Sequence, residues 1–193
     1  QFVAITDEGT SLQMLAKSRG FRRTFVLGQD TGQDVGGRFS ALTSFGLIPA
    51  SLLGIDIARL LDRAIEMQRA SEPAVAIAEN LGAQLGAFFG AAMAQGRDKL
   101  TLLASPGTAR FGVWIEQLIA ESTGKHGQGL IPIVGEPPCT ASAYGPDRLF
   151  VDLRLESEPD DAPRAETLAK AGHPIIRLVW KDAYDLGAEV MRW

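Results

Sequence analysis

Two adjacent glycines stand directly before an arginine, an aromatic residue and a serine in Asp34-Val35-Gly36-Gly37-Arg38-Phe39-Ser40. Bare backbone at Gly36 and Gly37 lets a ligand approach the main chain and lets the next side chain be aimed. Arg38 is permanently charged and forked, suited to a carboxylate, a phosphate or a developing oxyanion. The same residues also describe a plain turn whose arginine pairs with a surface acid. A second group lies in Glu116-Gln117-Leu118-Ile119-Ala120-Glu121. At about 100° per residue, Gln117 and Glu121 share one helix face, with Glu116 on the far side. A carboxylate at a helix end above a cleft suits a general base, although a half-exposed glutamate beside an amide fits the pattern as well.

Weaker signals follow. Ile133-Val134-Gly135-Glu136-Pro137-Pro138 is a strand-end turn of the kind that lines ligand sites at the carboxyl edge of parallel sheets. Ser105 and Thr108 stand between a strand and a helix, where an anion site or simple capping would both use them. His126 and His173 lie near glycine turns with no triad or metal-ligand spacing, and structural roles describe them. No glycine loop of the P-loop type is present.

These groups need elements to hold them. Short apolar runs at 2–5 and 24–27 flank a helical stretch at 10–20, a strand, helix, strand unit. From 28 to 54 the composition shifts to Gly, Ser, Thr, Asp and Pro, a loop with a short helix around 48–54. Helices are expected over 56–70 and from Pro73 to Gly96. Strands at 99–105, 130–134, 148–155 and 174–180 then alternate with helices at 109–122, 162–172 and 182–193. Continuous apolar strands separated by helices predict an α/β fold, a three-layer sandwich around a mostly parallel sheet, preceded by a strand-helix-strand remnant. The acidic patch at 156–163 reads as a solvated loop.

Composition narrows the function classes. The chain has 193 residues, 46% hydrophobic and 22% charged, with a formal net charge of -4. That balance gives no general attraction to nucleic acid or to an anionic membrane surface. No run approaches the roughly 20 apolar residues of a membrane span. The single cysteine, Cys139, forms no intramolecular disulfide and no thiolate zinc site, which points to a reducing, cytoplasmic compartment.

Taken together, "DVGGRFSALTSFGLIPA", "GRDKLTLLASP", "WIEQLIAESTGK", "GEP" and "YDLGAEVMRW" resemble glucose-6-phosphate isomerase, and more narrowly the isomerase half of bifunctional transaldolase/phosphoglucose isomerase proteins. The resemblance implies sugar-isomerase-type (SIS) subdomains. Residues 1–28 would complete the first, 29–74 would be a linker carrying the Gly-Gly-Arg-Phe-Ser motif, and 75–193 would form most of the second. It further implies a sugar phosphate substrate, no cofactor or metal, and a homodimer. By the same resemblance Glu121 is the base, Arg38 stabilises the enediolate, and Gln117 and Gly37 contact substrate. The family's phosphate-binding loop and terminal lysine match nothing here, so the isolated chain is expected to be inactive. The family's ring-opening histidine also has no counterpart after "GEP", where Asp147 or Arg148 stands instead. The rivals are a non-catalytic sugar-phosphate-binding module and, last, a nucleotide-binding α/β domain, whose glycine-rich first turn is not found.

Overall fold

The computed structural model describes residues 2–27, 35–159 and 161–193. The first part of the loop expected over 28–54, residues 28–34 with Asp34 of the arginine motif, and Asp160 of the acidic patch lie outside them. The chain divides into two compact units, Gln1–Leu61 and Asp62–Trp193.

The first unit holds the expected strand, helix, strand. β1 (Val3–Asp7) pairs in parallel with β2 (Arg23–Leu27), and α1 (Ser11–Ser18) connects them. Thr10 starts α1 by accepting a hydrogen bond from the Gln13 amide at 3.2 Å, which satisfies one of the donors left open by the first turn. A 3-10 turn at Gly37–Phe39 leads into α2 (Ser44–Leu52), and α3 (Ile57–Ala70) carries the chain from the first unit into the second. The short helix thus begins four residues before the expected 48, where Thr43 caps it through the Phe45 amide.

The second unit is a four-stranded parallel sheet in the order β4-β3-β5-β6, made of β3 (Lys99–Ala104), β4 (Ile131–Val134), β5 (Arg148–Leu155) and β6 (Ile175–Trp180). Its helices are α4 (Leu81–Ala94), α5 (Ala109–Thr123), α6 (Ala162–Lys170) and α7 (Asp185–Arg192). From the central pair the chain leaves β3 through α5 toward one edge and leaves β5 through α6 toward the other. Right-handed crossovers then put α5 and α6 on opposite faces. The packing agrees. Leu149, Val151 and Leu153 of β5 join a cluster with α4, α5 and residues of α7, whereas Phe150 packs with Leu168 of α6 and with Tyr144. Six consecutive residues of β5, Leu149 to Arg154, are buried, as a strand covered on both faces requires. This unit is the expected three-layer sandwich.

One helix departs from expectation. The stretch Pro73–Gly96 is not one helix: residues 71–80 form successive turns and α4 starts only at Leu81. The reason is Asn80, whose Oδ1 accepts from the Ala83 amide at 2.8 Å while its Nδ2 donates to the Glu72 carbonyl at 3.0 Å. A capping amide anchored at both ends fixes the helix start more firmly than the apolar run before it extends it.

Candidate functional site

Gly37 and Arg38 belong to the first unit. Their 3-10 turn is closed by the Phe39 amide on the Gly36 carbonyl at 2.8 Å and by the Ser40 amide and hydroxyl on the Gly37 carbonyl at 3.1 and 2.8 Å. The motif's serine therefore locks the turn. Arg38 sets its guanidinium over the Phe39 ring, 4.6 Å from the centroid, so the aromatic residue orients the fork by a cation–π contact. Neither conformation nor packing among the described residues demands a glycine at 37. It does not adopt a positive φ, and a Cβ built there meets nothing within 4 Å.

Gln117 and Glu121 belong to the second unit, and the helix brings them together as the spacing predicts. Gln117 Nε2 donates to Glu121 Oε1 at 3.3 Å on the exposed side of α5. The helix end beside them is tightly built. Thr123 Oγ1 donates to the Ile119 carbonyl at 2.8 Å and accepts from the Leu130 amide at 2.9 Å. A Cβ at Gly129 would stand 2.8 Å from the Cα of Gly124, so only glycine lets the two backbones meet. Between them, Lys125 and Gln128 exchange backbone hydrogen bonds across His126 and Gly127, both at positive φ. A cleft of about 1040 Å³ opens on the Glu116 side of the helix, lined by Glu116 and Ala120 of α5, by Gly90 and Ala94 of α4 and by Gly129, and neither Gln117 nor Glu121 lines it.

α5 runs antiparallel to the strands, so Glu121 lies toward the amino edge of the sheet. The Gly135-Glu136-Pro137 turn follows β4 at the carboxyl edge. The structure therefore does not bring that turn to the Gln117–Glu121 pair. Glu136 instead reaches along the sheet to Arg148, with Nη1 to Oε2 at 2.9 Å and Nη2 to Oε1 at 3.1 Å. Arg148 also donates to the buried Thr101 hydroxyl at 2.6 Å and lies over the Tyr144 ring. Its neighbour Asp147 is paired with Lys99 Nζ at 2.9 Å. The hydrogen bond from Lys99 holds the Asp147 carboxyl below the usual aspartate range. Asp147 and Arg148 are thus both engaged in ion pairs that organise the sheet. Glu136 as the partner of Arg148 was not found from the sequence, where only the Glu-Pro turn chemistry was visible.

Ser105 and Thr108 turn inward. Thr108, fully buried, donates to the Leu153 carbonyl at 2.9 Å, and the Ser105 hydroxyl accepts from the Leu155 amide at 3.0 Å. The Gly107 amide at this turn is taken by the Glu158 carboxylate at 2.9 Å. His173 is buried against Phe150 and Tyr144, and His126 is exposed in its turn. Among the described residues no three His, Cys, Asp or Glu side chains gather as a metal site. None of the described helices is long and apolar enough to cross a membrane.

No family model matches the chain. Comparison with curated proteins is informative. A glucose-6-phosphate isomerase of Parabacteroides distasonis is 36% identical over 135 residues, covering 68% of this chain and 29% of that protein. The chain is homologous to the glucose-6-phosphate isomerases. One from Heliobacterium modesticaldum is 36% identical over 132 residues, 67% of this chain and 28% of its own length. One from Enterococcus faecalis is 33% identical over 135 residues, 69% and 29%. This glucose-6-phosphate-isomerase-like chain therefore spans under a third of the length of the relatives it matches.

Proposed function

We propose that this chain carries part of the active site of an aldose-ketose isomerase that interconverts glucose 6-phosphate and fructose 6-phosphate. The observation that supports it most is the Gln117–Glu121 pair, an exposed carboxylate held by a neighbouring amide at the end of α5, in a chain whose relatives are named glucose-6-phosphate isomerase. In this reading Glu121 removes the proton from C2 of the open-chain aldose. The electron pair of that C–H bond forms the C1–C2 double bond, and the carbonyl π pair passes to O1, giving an enediolate. The proton is then returned at C1, with proton exchange between the two oxygens completing the ketose. The role assigned to Arg38 is to stabilise the enediolate, since fixed positive charge lowers the barrier to forming it. Gln117 steadies Glu121 and the sugar, and Gly37 admits the sugar to the backbone.

The finer proposals follow the same resemblance. Residues 1–28 and 75–193 belong to successive sugar-isomerase subdomains joined by 29–74. The parent is a cytoplasmic homodimer needing no cofactor, and it is closest to the isomerase half of transaldolase fusions. The competing reading is a sugar-phosphate-binding module without catalysis.

Deuterium exchange separates the two. The longer protein containing this chain, incubated with fructose 6-phosphate in deuterated water, incorporates deuterium at the carbon that Glu121 reprotonates. The Glu121→Gln variant still binds the sugar phosphate but loses exchange. Exchange at an undiminished rate in that variant would remove Glu121 from the base role, and no exchange in the unsubstituted protein would favour the binding module.

A further inference from the structure

On the α6 face of the second unit, opposite the face covered by α5, a cavity of about 250 Å³ lies between residues 139–141 and the start of α6. Its walls include Cys139, Thr140, Arg164 and Thr167. The only side-chain polar contact of Arg164 among the described residues is Nη2 donating to the Tyr144 hydroxyl at 3.3 Å, and its buried Nε has no acceptor. No carboxylate among the described residues neutralises this guanidinium. That contrasts with Arg148 and Arg177 nearby, which are ion-paired to Glu136 and Asp152. A charged group drawn partly out of water normally has a counter-charge, and an arginine fork lining a cavity supplies donors to an oxyanion.

We propose that this cavity is a binding site for phosphate, free or as a phosphomonoester, held by Arg164 and Thr140. The inference stands without the isomerase reading. The cavity falls below the roughly 300–1,000 Å³ of clefts that hold drug-sized ligands, so its occupant is small. Thr140 and Ser142 hydroxyls share a hydrogen bond of 3.1 Å that can run in either direction. With Ser142 donating, the Thr140 proton is available to a ligand. A tetrahedral oxyanion can meet the fork and that hydroxyl together, whereas a planar carboxylate spends both its oxygens on the fork. An ion held there would tie the 139–141 segment to the first turn of α6.

Cys139 is the sole cysteine, exposed, and part of the wall, so its rate of alkylation reads occupancy directly. Inorganic phosphate is expected to slow alkylation of the 193-residue chain several-fold with saturation, at constant ionic strength, while chloride and acetate do not. A glycerol phosphate arm distinguishes the sources: protection by it as well assigns the site to phosphomonoesters, and protection by phosphate alone assigns it to the free ion. Arg164→Gln abolishes protection, and Thr140→Val, in an exposed segment, weakens it. Phosphorus NMR of the same samples should show line broadening that Arg164→Gln removes. Absence of saturable protection, equal protection by acetate, or protection and broadening that survive in Arg164→Gln would each overturn the proposal. If Arg164→Gln fails to fold by circular dichroism, undiminished protection in Thr140→Val overturns it instead.

Discussion

Arg148 lies flat against Glu136, with both terminal nitrogens on both carboxylate oxygens at 2.9 and 3.1 Å. Side-chain exposures of 17% and 23% place the pair between the surface and interior regimes. It pins the turn after β4 to the first residue of β5, and Thr101 completes the contact from β3. Removing one partner leaves the other half-desolvated and unpaired. Arg148→Met is therefore expected to cost about 1–3 kcal/mol in urea unfolding. The double variant with Glu136→Gln should cost less than the sum of the two single ones. Strict additivity would mean the bidentate pair contributes nothing of its own.

Thr108 offers a cleaner stability test because it is fully buried. Its hydroxyl is the link between the start of α5 and the Leu153 carbonyl in the centre of the sheet. Thr108→Val keeps the shape and removes the donor, so a buried carbonyl loses its side-chain partner. The expected loss is about 1–3 kcal/mol, and Thr108→Ser should recover most of it. Equal losses in the two variants would point to the methyl group instead.

Two carboxylates shape the pH dependence in opposite directions. Lys99 holds Asp147 below the usual aspartate range, and Lys99 is itself raised by Asp147 and Asp98. An aspartate depressed in the folded state adds stability above its unfolded value of about 3.9, which is lost as pH falls through the folded value. Asp147→Asn should flatten the acid limb of the stability curve. It should also reduce the loss on the alkaline side, where Lys99 would deprotonate.

Glu189 behaves in the other sense. Burial raises its carboxyl, against the opposing effects of Arg192 and the Trp193 indole. A glutamate raised in the folded state holds its proton more tightly there than when unfolded. Its favourable contribution is complete below the ordinary value of about 4.3 and declines as pH rises through the folded value. Glu189→Gln should remove that decline, seen as a smaller downward slope of unfolding free energy as pH rises above about 4.3. A slope unchanged by the substitution would show that another group is responsible.

The parts of this architecture visible in the sequence are those fixed by local pattern. β5 runs from Arg148 to Leu155, as the apolar run Leu149-Phe150-Val151, resumed at Leu153 and Leu155, predicts, and Gln117 meets Glu121 because four residues make about one helical turn. What stayed hidden depends on partners distant along the chain. The pairing of Lys99 with both Ile131 and Arg148 is what places Glu136, Arg148 and Thr101 together, and no single-segment pattern encodes that register. The start of α4 was missed for a related reason: the Asn80 side chain closes back on Glu72, and a run of apolar residues gives no hint of it.

If Glu121 is the base, the effects of substitution should divide by role in the longer protein. Glu121→Gln is expected to lower kcat by about 10² or more with a modest change in KM. Arg38→Lys keeps a charge but loses the fork and its seat on Phe39, so kcat should fall by an intermediate factor. A change confined to KM in both variants would fit binding without catalysis.

Gly37→Ala tests whether the glycine serves the fold or the ligand. Its backbone is not in the left-handed region, and no described atom stands within 4 Å of an added Cβ. The substitution should therefore change stability by no more than about 0.5 kcal/mol. A sugar seated against that backbone would meet the new methyl group directly, raising KM and lowering kcat/KM while the melting temperature stays put. Lost stability with unaltered kinetics would instead make Gly37 a requirement of the turn, and the case for Arg38 would then rest on its guanidinium alone.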